Sequence, residues 1–229
     1  MSLAKRLAAL AEYVPAGSVA ADIGTDHAGL PVYLVEEGIC PKVIATDLNE
    51  GPFRSARRMV EMHKLEDRID LRQGDGLKPL KPGEAEVLIV AGLGGRTVKE
   101  ILAASPGVLR QAKRLILQPM GGCGELRAWL AENGWRISDE KLVEDEGIIY
   151  NIMVAEPGRE EVPDPLLLEL GPRLLEKKDP LMRRYLEEIS GRYERALSAL
   201  AAAKGEKGRK RADELKAKLA QIREVAKCL

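Results

Sequence analysis

The sequence predicts an α/β fold, in which a mostly parallel sheet of seven strands, its last pair antiparallel, precedes a C-terminal helical hairpin. Short apolar runs alternate with helical stretches over the first two thirds of the chain, which is typical of a parallel sheet covered on both faces. The last two apolar runs are separated only by a turn, so no helix fits between them. The rest of the chain carries heptad-like apolar spacings.

The composition excludes several classes of protein. The 229 residues are 45% apolar and 31% charged, an ordinary balance for a globular chain. Aromatic residues make up only 3%, too few for a nucleic-acid binder built on stacked rings. Three distant cysteines, no CxxC and two histidines indicate no metal site and no disulfide framework. Without a long apolar segment or an apolar leader, we expect a cytoplasmic protein that binds no membrane.

The first half of the chain alternates between helices and strands. Four apolar side chains at helical spacing predict a first helix that ends at Pro15: Leu3, Leu7, Leu10 and Val14. Apolar runs then predict strands over 19–23, 42–47 and 69–73. The helices between them begin near Pro31 and Pro52, because proline is tolerated in the first turn of a helix.

The second half of the sheet follows the same pattern. Further strands are predicted over 86–91 and 114–118, and helices extend from the glycines near 95 to Ala104 and over 125–132. The last strands, 135–143 and 148–155, flank an acidic turn and are therefore expected to pair antiparallel at one edge of the sheet.

A segment rich in proline, glycine and charge over 156–164 predicts a domain boundary, with domains 1–158 and 159–229. A short helix over 166–175, interrupted at Gly171, is followed by apolar positions every three or four residues from Met182 to Leu200 and from Ala212 to Leu229. The short loop between them, Gly205 to Gly208, predicts an antiparallel hairpin.

The charge differs between the two parts of the chain. Residues 159–229 hold 17 Lys and Arg against 13 Asp and Glu, a net charge of +4, which leaves −4 on residues 1–158. A basic C-terminal part is compatible with a polyanionic partner. The alternative is that these charges only form a solvent-exposed helical face, which would give the same net charge without such a partner.

Acidic and glycine residues gather at the carboxyl ends of the predicted strands, where open α/β sheets bind ligands. Gly24 follows the first strand and lets a ligand approach the backbone, because it has no Cβ. Asp47 ends the second strand, 23 residues later, where a carboxylate accepts hydrogen bonds from ribose hydroxyls. Asp75 follows the third strand and could accept from the adenine N6 amine. These features together indicate an adenosyl ligand.

The turn after the first strand favours S-adenosylmethionine over a dinucleotide. It reads Gly-Thr-Asp-His-Ala-Gly, whereas a pyrophosphate is typically held by G-x-G-x-x-G. Asp22 and Asp26 would repel phosphate but suit the ammonium and sulfonium groups of a methyl donor. A degraded turn in a domain that binds nothing remains the alternative.

Several motifs resemble the bacterial tRNA (adenine-N1)-methyltransferases of the TrmK type, which act on adenine 22 of tRNA. The resemblance covers nearly the whole chain, and its specific part is the string DIGTDHAGLP from Asp22 to Pro31. The stretch from Gly121 to Gly124 is less familiar as a motif of this family, and no role is assigned to it. The other matching motifs are Ala45–Asp47 with Gly51-Pro52, Gly74–Leu77, Ala91–Gly95, Leu117–Pro119, Leu126–Leu130 and Asn133–Trp135.

The resemblance implies a Rossmann-like class I methyltransferase domain that uses S-adenosylmethionine, followed by a coiled-coil-like domain that binds tRNA. It implies a catalytic role for Asp26, beside the methyl group and the target base. The residues alone leave open whether Asp26 only steadies the loop and whether His27 caps the next helix. The implied cofactor-binding residues are Asp22, Gly24, His27, Asp47, Leu48, Asp75, Gly76, Ala91 and Gly92.

Other functions stay open on sequence alone. They are a NAD-dependent oxidoreductase, a non-catalytic tRNA-binding module, and a small-molecule methyltransferase whose hairpin is a dimerisation element. The chain has Gly-Leu-Gly-Gly after the fourth strand, where methyltransferases of exocyclic amines often carry Asn-Pro-Pro-Tyr, and this favours a ring nitrogen as target. We expect a monomer, although the heptads also fit a dimer.

Overall fold

The computed structural model describes residues 3–162, 164–200 and 206–228. The chain divides into two compact units, Met1–Val162 and Pro163–Leu229. The first unit continues past the last strand because the Ile137 amide donates a hydrogen bond to Glu160 Oε2 at 3.0 Å. This contact ties the segment after Gly158 back to the sheet.

The first unit contains the predicted seven-stranded sheet, in the order β3-β2-β1-β4-β5-β7-β6. The first five strands pair in parallel, while β7 lies antiparallel between β5 and β6. The fold prediction is therefore confirmed, including the antiparallel last pair. The strands are β1 (Ala20–Ile23), β2 (Val43–Asp47), β3 (Ile69–Gln73), β4 (Val87–Leu93), β5 (Arg114–Pro119), β6 (Trp135–Asp145) and β7 (Ile148–Pro157).

Helices cover both faces of the sheet. Apolar side chains of the first three helices pack on one face and those of the next three on the other. Two such layers explain why the central strands are almost continuously apolar, since neither of their faces meets water. The six helices are α1 (Lys5–Ala11), α2 (Gly29–Glu36), α3 (Glu50–Met62), α4 (Gly95–Ala104), α5 (Pro106–Leu109) and α6 (Cys123–Glu132).

The second unit is helical, with α7 (Pro165–Leu170), α8 (Pro172–Lys177), α9 (Met182–Leu200) and α10 (Glu206–Lys227). Helices α9 and α10 pack together, and Arg223 of α10 forms an ion pair with Glu194 of α9 at 2.7 Å. Among the described residues, no helix is long and apolar enough to cross a membrane.

Several local expectations differ from the structure, among them the following three. The short helix α5 was not predicted, because four residues are too few to show a period. The loop expected through Gly208 is shorter, since α10 already begins at Glu206, and residues 201–205 lie outside the described part of the chain. Strand β4 continues to Leu93 instead of ending at Ala91.

Candidate active site

The loop after β1 is fastened to the end of β2. The amides of Gly24 and Thr25 both donate to the carbonyl oxygen of Thr46, each at 2.9 Å. Parallel pairing of β1 with β2 brings Ile23 level with Thr46, so the two strand ends meet at one edge of the sheet. The first turn and Asp47 are thereby held side by side.

Asp47 is oriented by its neighbours. Its Oδ2 accepts the Asp26 amide at 3.1 Å, and its Oδ1 accepts the Asn49 amide at 2.9 Å. The residue is only 7% exposed. Because each carboxylate oxygen has two lone pairs, each retains one acceptor position for an additional donor such as a ribose hydroxyl.

A cavity of about 570 Å³ opens at the carboxyl ends of β1 to β4, a volume suited to a small-molecule ligand. All ten residues singled out from the sequence line it. The structure thus brings together every predicted site residue, from four separate stretches of the chain: Asp22, Gly24, Asp26, His27, Asp47, Leu48, Asp75, Gly76, Ala91 and Gly92.

Asp22 of β1 lines the cavity and is only 6% exposed. Burial raises the pKa of Asp22 to about 6, because the charged form loses its hydration. The Thr25 hydroxyl and the positive charge of Arg6 oppose this increase in pKa, while the negative charge of Asp47 adds to it. A cationic ligand group would favour the ionised carboxylate.

The rim of the cavity is more open. Leu48 is 59% exposed, an unusual position for a large apolar side chain. Asp75 is half-exposed and pairs with Lys78 at 2.6 Å. The side chains of Asp26 and His27 are largely exposed and lie 3.5 Å apart, between Asp26 Oδ2 and His27 Nε2.

His27 does not cap the next helix. The residue that caps α2 is Ala28, in the left-handed conformation, and no side chain accepts a hydrogen bond there. The helix-capping alternative for His27 is therefore wrong. Among the described residues, no group of three or more His, Cys, Asp or Glu side chains could hold a metal ion.

Strand β4 ends in an irregularity at the floor of the cavity. Its register against β5 shifts between Ala91 and Leu93, so Gly92 is an extra residue on this strand. Gly92 has a φ of +76°, which a residue with a side chain rarely adopts. Such bulges bend a strand and change the direction of the chain near a ligand.

Two glycine-containing loops are joined beside this bulge. The Met120 amide donates to Leu93 O at 2.9 Å, and the Gly95 amide donates to Gly121 O at 2.8 Å. A Cβ on Gly95 would lie only 2.6 Å from Gly121 O. The stretch from Gly121, to which the sequence assigned no role, thus holds the start of α4 in place.

Arg6 is a cavity residue that the sequence interpretation missed. Its Nη1 donates to Gln118 Oε1 at 3.1 Å, and its guanidinium carbon lies 5.5 Å from the centre of the Tyr150 ring. One signal could have indicated it: Arg6 stands three residues after Leu3 and four before Leu10, so a cation lies on the apolar stripe of α1.

Comparison with known proteins agrees with this geometry. Residues 3–153 match a family described as a methyltransferase domain. The chain is also 36% identical to the tRNA (adenine(22)-N(1))-methyltransferase of Bacillus subtilis, over 98% of this chain and 97% of the relative. This chain belongs to the tRNA (adenine(22)-N(1))-methyltransferase family.

Solved structures share this fold along the whole chain. The crystal structure of the B. subtilis m1A22 tRNA methyltransferase TrmK matches with a TM-score of 0.90 and 34% identity, covering 98% of this chain and 99% of that chain. A Streptococcus pneumoniae protein, described as a candidate tRNA (m1A22) methyltransferase, was crystallised with S-adenosyl-L-methionine. It matches with a TM-score of 0.89 and 33% identity, covering 98% of this chain and 100% of that chain.

Proposed function

We propose that this member of the tRNA (adenine(22)-N(1))-methyltransferase family transfers a methyl group from S-adenosylmethionine to N1 of adenine 22 in tRNA. The observation that carries the proposal is the cavity at the carboxyl edge of the sheet, which is lined by all ten residues expected to serve this reaction. The similarity to the B. subtilis enzyme over nearly the whole chain supports the same acceptor.

The residues of the cavity suit the parts of S-adenosylmethionine. The two free lone-pair positions on Asp47 suit the ribose hydroxyls. The exposed Leu48 offers an apolar surface for the adenine ring, and the Asp75 carboxylate can accept from N6 once it turns away from Lys78. Asp22 suits a positive charge on the methionine part. His27, Gly24, Gly76, Ala91 and Gly92 complete the proposed contacts.

S-adenosylmethionine supplies an electrophilic methyl group when bound. The lone pair of adenine N1 forms the new bond to the methyl carbon as the carbon–sulfur bond breaks, and the sulfur keeps the bonding electrons. No proton leaves N1 beforehand, so the protein contributes mainly by orienting the reacting groups. The adenine must be unpaired or turned out of its stack, because N1 lies on the pairing edge.

Asp26 is the proposed catalytic residue. Its carboxylate is largely exposed at the mouth of the cavity, where an incoming base can reach it, while its backbone is fixed through the amide bond to Asp47. The methylated adenine is cationic and has acidified N6 protons. A carboxylate beside N6 polarises the ring and accepts one of these protons.

The proposed division of labour follows the predicted domains, with cofactor binding and catalysis in residues 1–158 and tRNA binding in residues 159–229. Exposed cations on α9 and α10 support a polyanionic partner: Arg192, Arg195, Arg209 and Lys210.

The burial of apolar side chains in α9 and α10 supports a monomer. Leu186 and Ile189 of α9, like Leu219 and Ile222 of α10, are buried within one chain. We also propose that the reaction occurs in the cytoplasm, with its tRNA substrate.

The deciding experiment incubates the full-length protein with labelled S-adenosylmethionine and either a tRNA transcript with adenine 22 or the same transcript with guanine 22. We expect label in the first RNA only, and mass spectrometry of its nucleosides should identify 1-methyladenosine. Equal labelling of both transcripts would contradict the target position. Absence of labelled RNA, with methylation of a small molecule instead, would support the small-molecule methyltransferase.

A further inference from the structure

A methionine stands exposed at the carboxyl edge of the sheet, just outside the cavity. Met120 follows β5 and is 55% exposed, and it is not one of the cavity-lining residues. The cavity covers the ends of β1 to β4, and β5 is the next strand in the sheet. Met120 therefore lies where the rim of the cavity continues into open surface, and an apolar side chain exposed beside a site can serve binding.

Met120 is held in place although it is exposed. Its amide donates to Leu93 O at 2.9 Å, and Nε2 of the fully buried Gln118 donates to its Sδ at 3.5 Å. A methionine side chain has three rotatable bonds, and fixing them on binding costs free energy. Because its sulfur already has a hydrogen-bond partner, Met120 presents its thioether with less freedom left to lose.

Met120 lies close to the loop that carries the proposed catalytic residue. Leu93, whose carbonyl oxygen accepts the Met120 amide, has its Cδ1 3.9 Å from the position of a Cβ on Gly24. Gly24 opens the loop that leads to Asp26, whose carboxylate is largely exposed at the mouth of the cavity. The end of β4 thus connects Met120 with the Asp26 loop, and both belong to the same part of the rim.

The chemistry of this position suits a nucleobase. A thioether is apolar and polarisable and makes favourable contacts with aromatic rings. A base that packs against Met120 in this way keeps its N1 and N6 atoms free, since these lie on the edge of the ring. Phosphate and ribose groups are polar and gain little from an apolar side chain.

We propose that Met120 packs against the ring of the target adenine of tRNA and helps to hold its N1 edge towards the cavity. The inference rests on the proposed function and adds an acceptor-binding residue to it. Asp26 would then meet the N6 edge of the base while Met120 supports the ring. The fixed sulfur makes Met120 a prepared surface for a base that has left its own stack.

Binding measurements with two RNAs test this assignment on the full chain. One is a tRNA with adenine 22, and the other is the same tRNA with an abasic nucleotide at position 22. Filter binding in the presence of S-adenosylhomocysteine prevents turnover. We expect the unmodified protein to bind the adenine-containing tRNA about 3- to 30-fold more tightly, and Met120→Ala to lose most of this preference. Its affinity for the abasic tRNA should change by less than about twofold.

Two further variants complete the design. Met120→Leu keeps an apolar side chain of similar size and should retain most of the preference. Met62→Ala is the matched control, because Met62 is also an exposed methionine, 69% exposed at the last residue of α3, and does not line the cavity. It should leave both affinities unchanged. Titration calorimetry with S-adenosylmethionine should give the same cofactor affinity for all of these proteins.

The outcomes separate the inference from the proposed function. If the unmodified protein methylates no tRNA with adenine 22, the proposed function fails and the inference with it. If methylation occurs but Met120→Ala keeps the full preference, Met120 does not contact the adenine. If Met120→Ala weakens both RNAs by the same factor, Met120 contacts another part of the tRNA and the inference is wrong. Equal binding of both RNAs by the unmodified protein also contradicts it, even if a variant fails to fold.

Discussion

At the scale of single residues, the site depends on carboxylates whose surroundings differ. Asp47 is buried and fastened by two backbone amides, Asp22 is buried with a raised pKa, and Asp26 and Asp75 are exposed at the rim. The sequence shows only four aspartates at strand ends. The fold makes Asp47 a rigid hydrogen-bond acceptor and Asp22 a buried carboxyl group, and it leaves Asp26 and Asp75 accessible. Their substitutions are therefore expected to have different effects.

Asp47→Ala should weaken S-adenosylmethionine binding by about 10- to 150-fold, because it removes charge-assisted hydrogen bonds to the ribose and leaves two amides without an acceptor. Asp47→Asn keeps one side-chain oxygen and should lose less. Titration calorimetry on both variants measures the effect. Undiminished binding in Asp47→Ala would remove the assignment of the ribose contact.

Asp22→Asn should stabilise the protein at neutral pH while weakening cofactor binding. Between pH of about 4 and 6, folded Asp22 retains a proton that the unfolded chain has released, so its contribution to the free energy of unfolding falls as the pH rises through this window. At pH 7 the buried charge of Asp22 therefore lowers the free energy of unfolding by about 2–3 kcal/mol.

Urea denaturation at pH 4 and pH 7.5 measures this effect. The difference in the free energy of unfolding between Asp22→Asn and the unmodified protein should be small at pH 4 and about 2 kcal/mol in favour of the variant at pH 7.5. Asp67→Asn, at an exposed position, is the control and should show no such difference. A variant no more stable at pH 7.5 than the unmodified protein contradicts the raised pKa.

Asp26→Asn should lower the rate of methyl transfer at least tenfold and leave the dissociation constants for cofactor and tRNA nearly unchanged. Asparagine is the better replacement, because Asp26 has a φ of 54° and asparagine tolerates this left-handed conformation. Single-turnover kinetics at saturating cofactor and tRNA measure the rate. A normal saturated rate with weaker cofactor binding would make Asp26 a cofactor-binding residue only.

At the scale of elements, the junction of β4 with α4 shapes the floor of the cavity. Gly95→Ala should destabilise the protein by about 1–3 kcal/mol, because the new Cβ would meet backbone oxygens of Gly121 and Gly122 at 2.6 and 2.7 Å. Thermal unfolding measures the loss. Gly51→Ala is the control: it lies within α3 with open space around its Cβ, and should be neutral or slightly stabilising.

The elements also show what a sequence pattern can and cannot predict. Strands β1 to β5 were expected within two residues of their observed ends, because apolar runs between glycine and proline residues are strong signals. The bulge at Gly92 and the junction of Gly95 with Gly121 were not expected. Both arise from pairing between distant strands and loops, which leaves no local period in the sequence.

At the scale of the whole molecule, the two units should separate in function. A chain truncated after Val162 should fold and bind S-adenosylmethionine, because the cavity is lined only by residues of the first unit. It should bind tRNA more weakly than the full chain, whose tRNA affinity should fall steeply with added salt as phosphate contacts release counterions. Calorimetry and filter binding measure the two affinities.

The comparison for the truncated chain is a full-length Arg209→Glu/Lys210→Glu variant, which keeps the hairpin but reverses two exposed charges. It should also lose affinity for tRNA while its affinity for the cofactor stays the same. If the truncated chain methylates tRNA as well as the full chain, the second unit acts as a spacer or a dimerisation element.

The sequence by itself determined the class of the sheet, the family and the ten residues that meet in one cavity, because strand runs are local and the carboxyl ends of parallel strands converge at one edge. Only the tertiary structure showed that Arg6, from a helix more than a hundred residues away from Gln118 and Tyr150, reaches the same cavity. The tertiary structure also decided that Asp22 is buried, which raises its pKa, whereas the side chain of Asp26 stays exposed, since hydration depends on how every neighbouring element packs around a side chain.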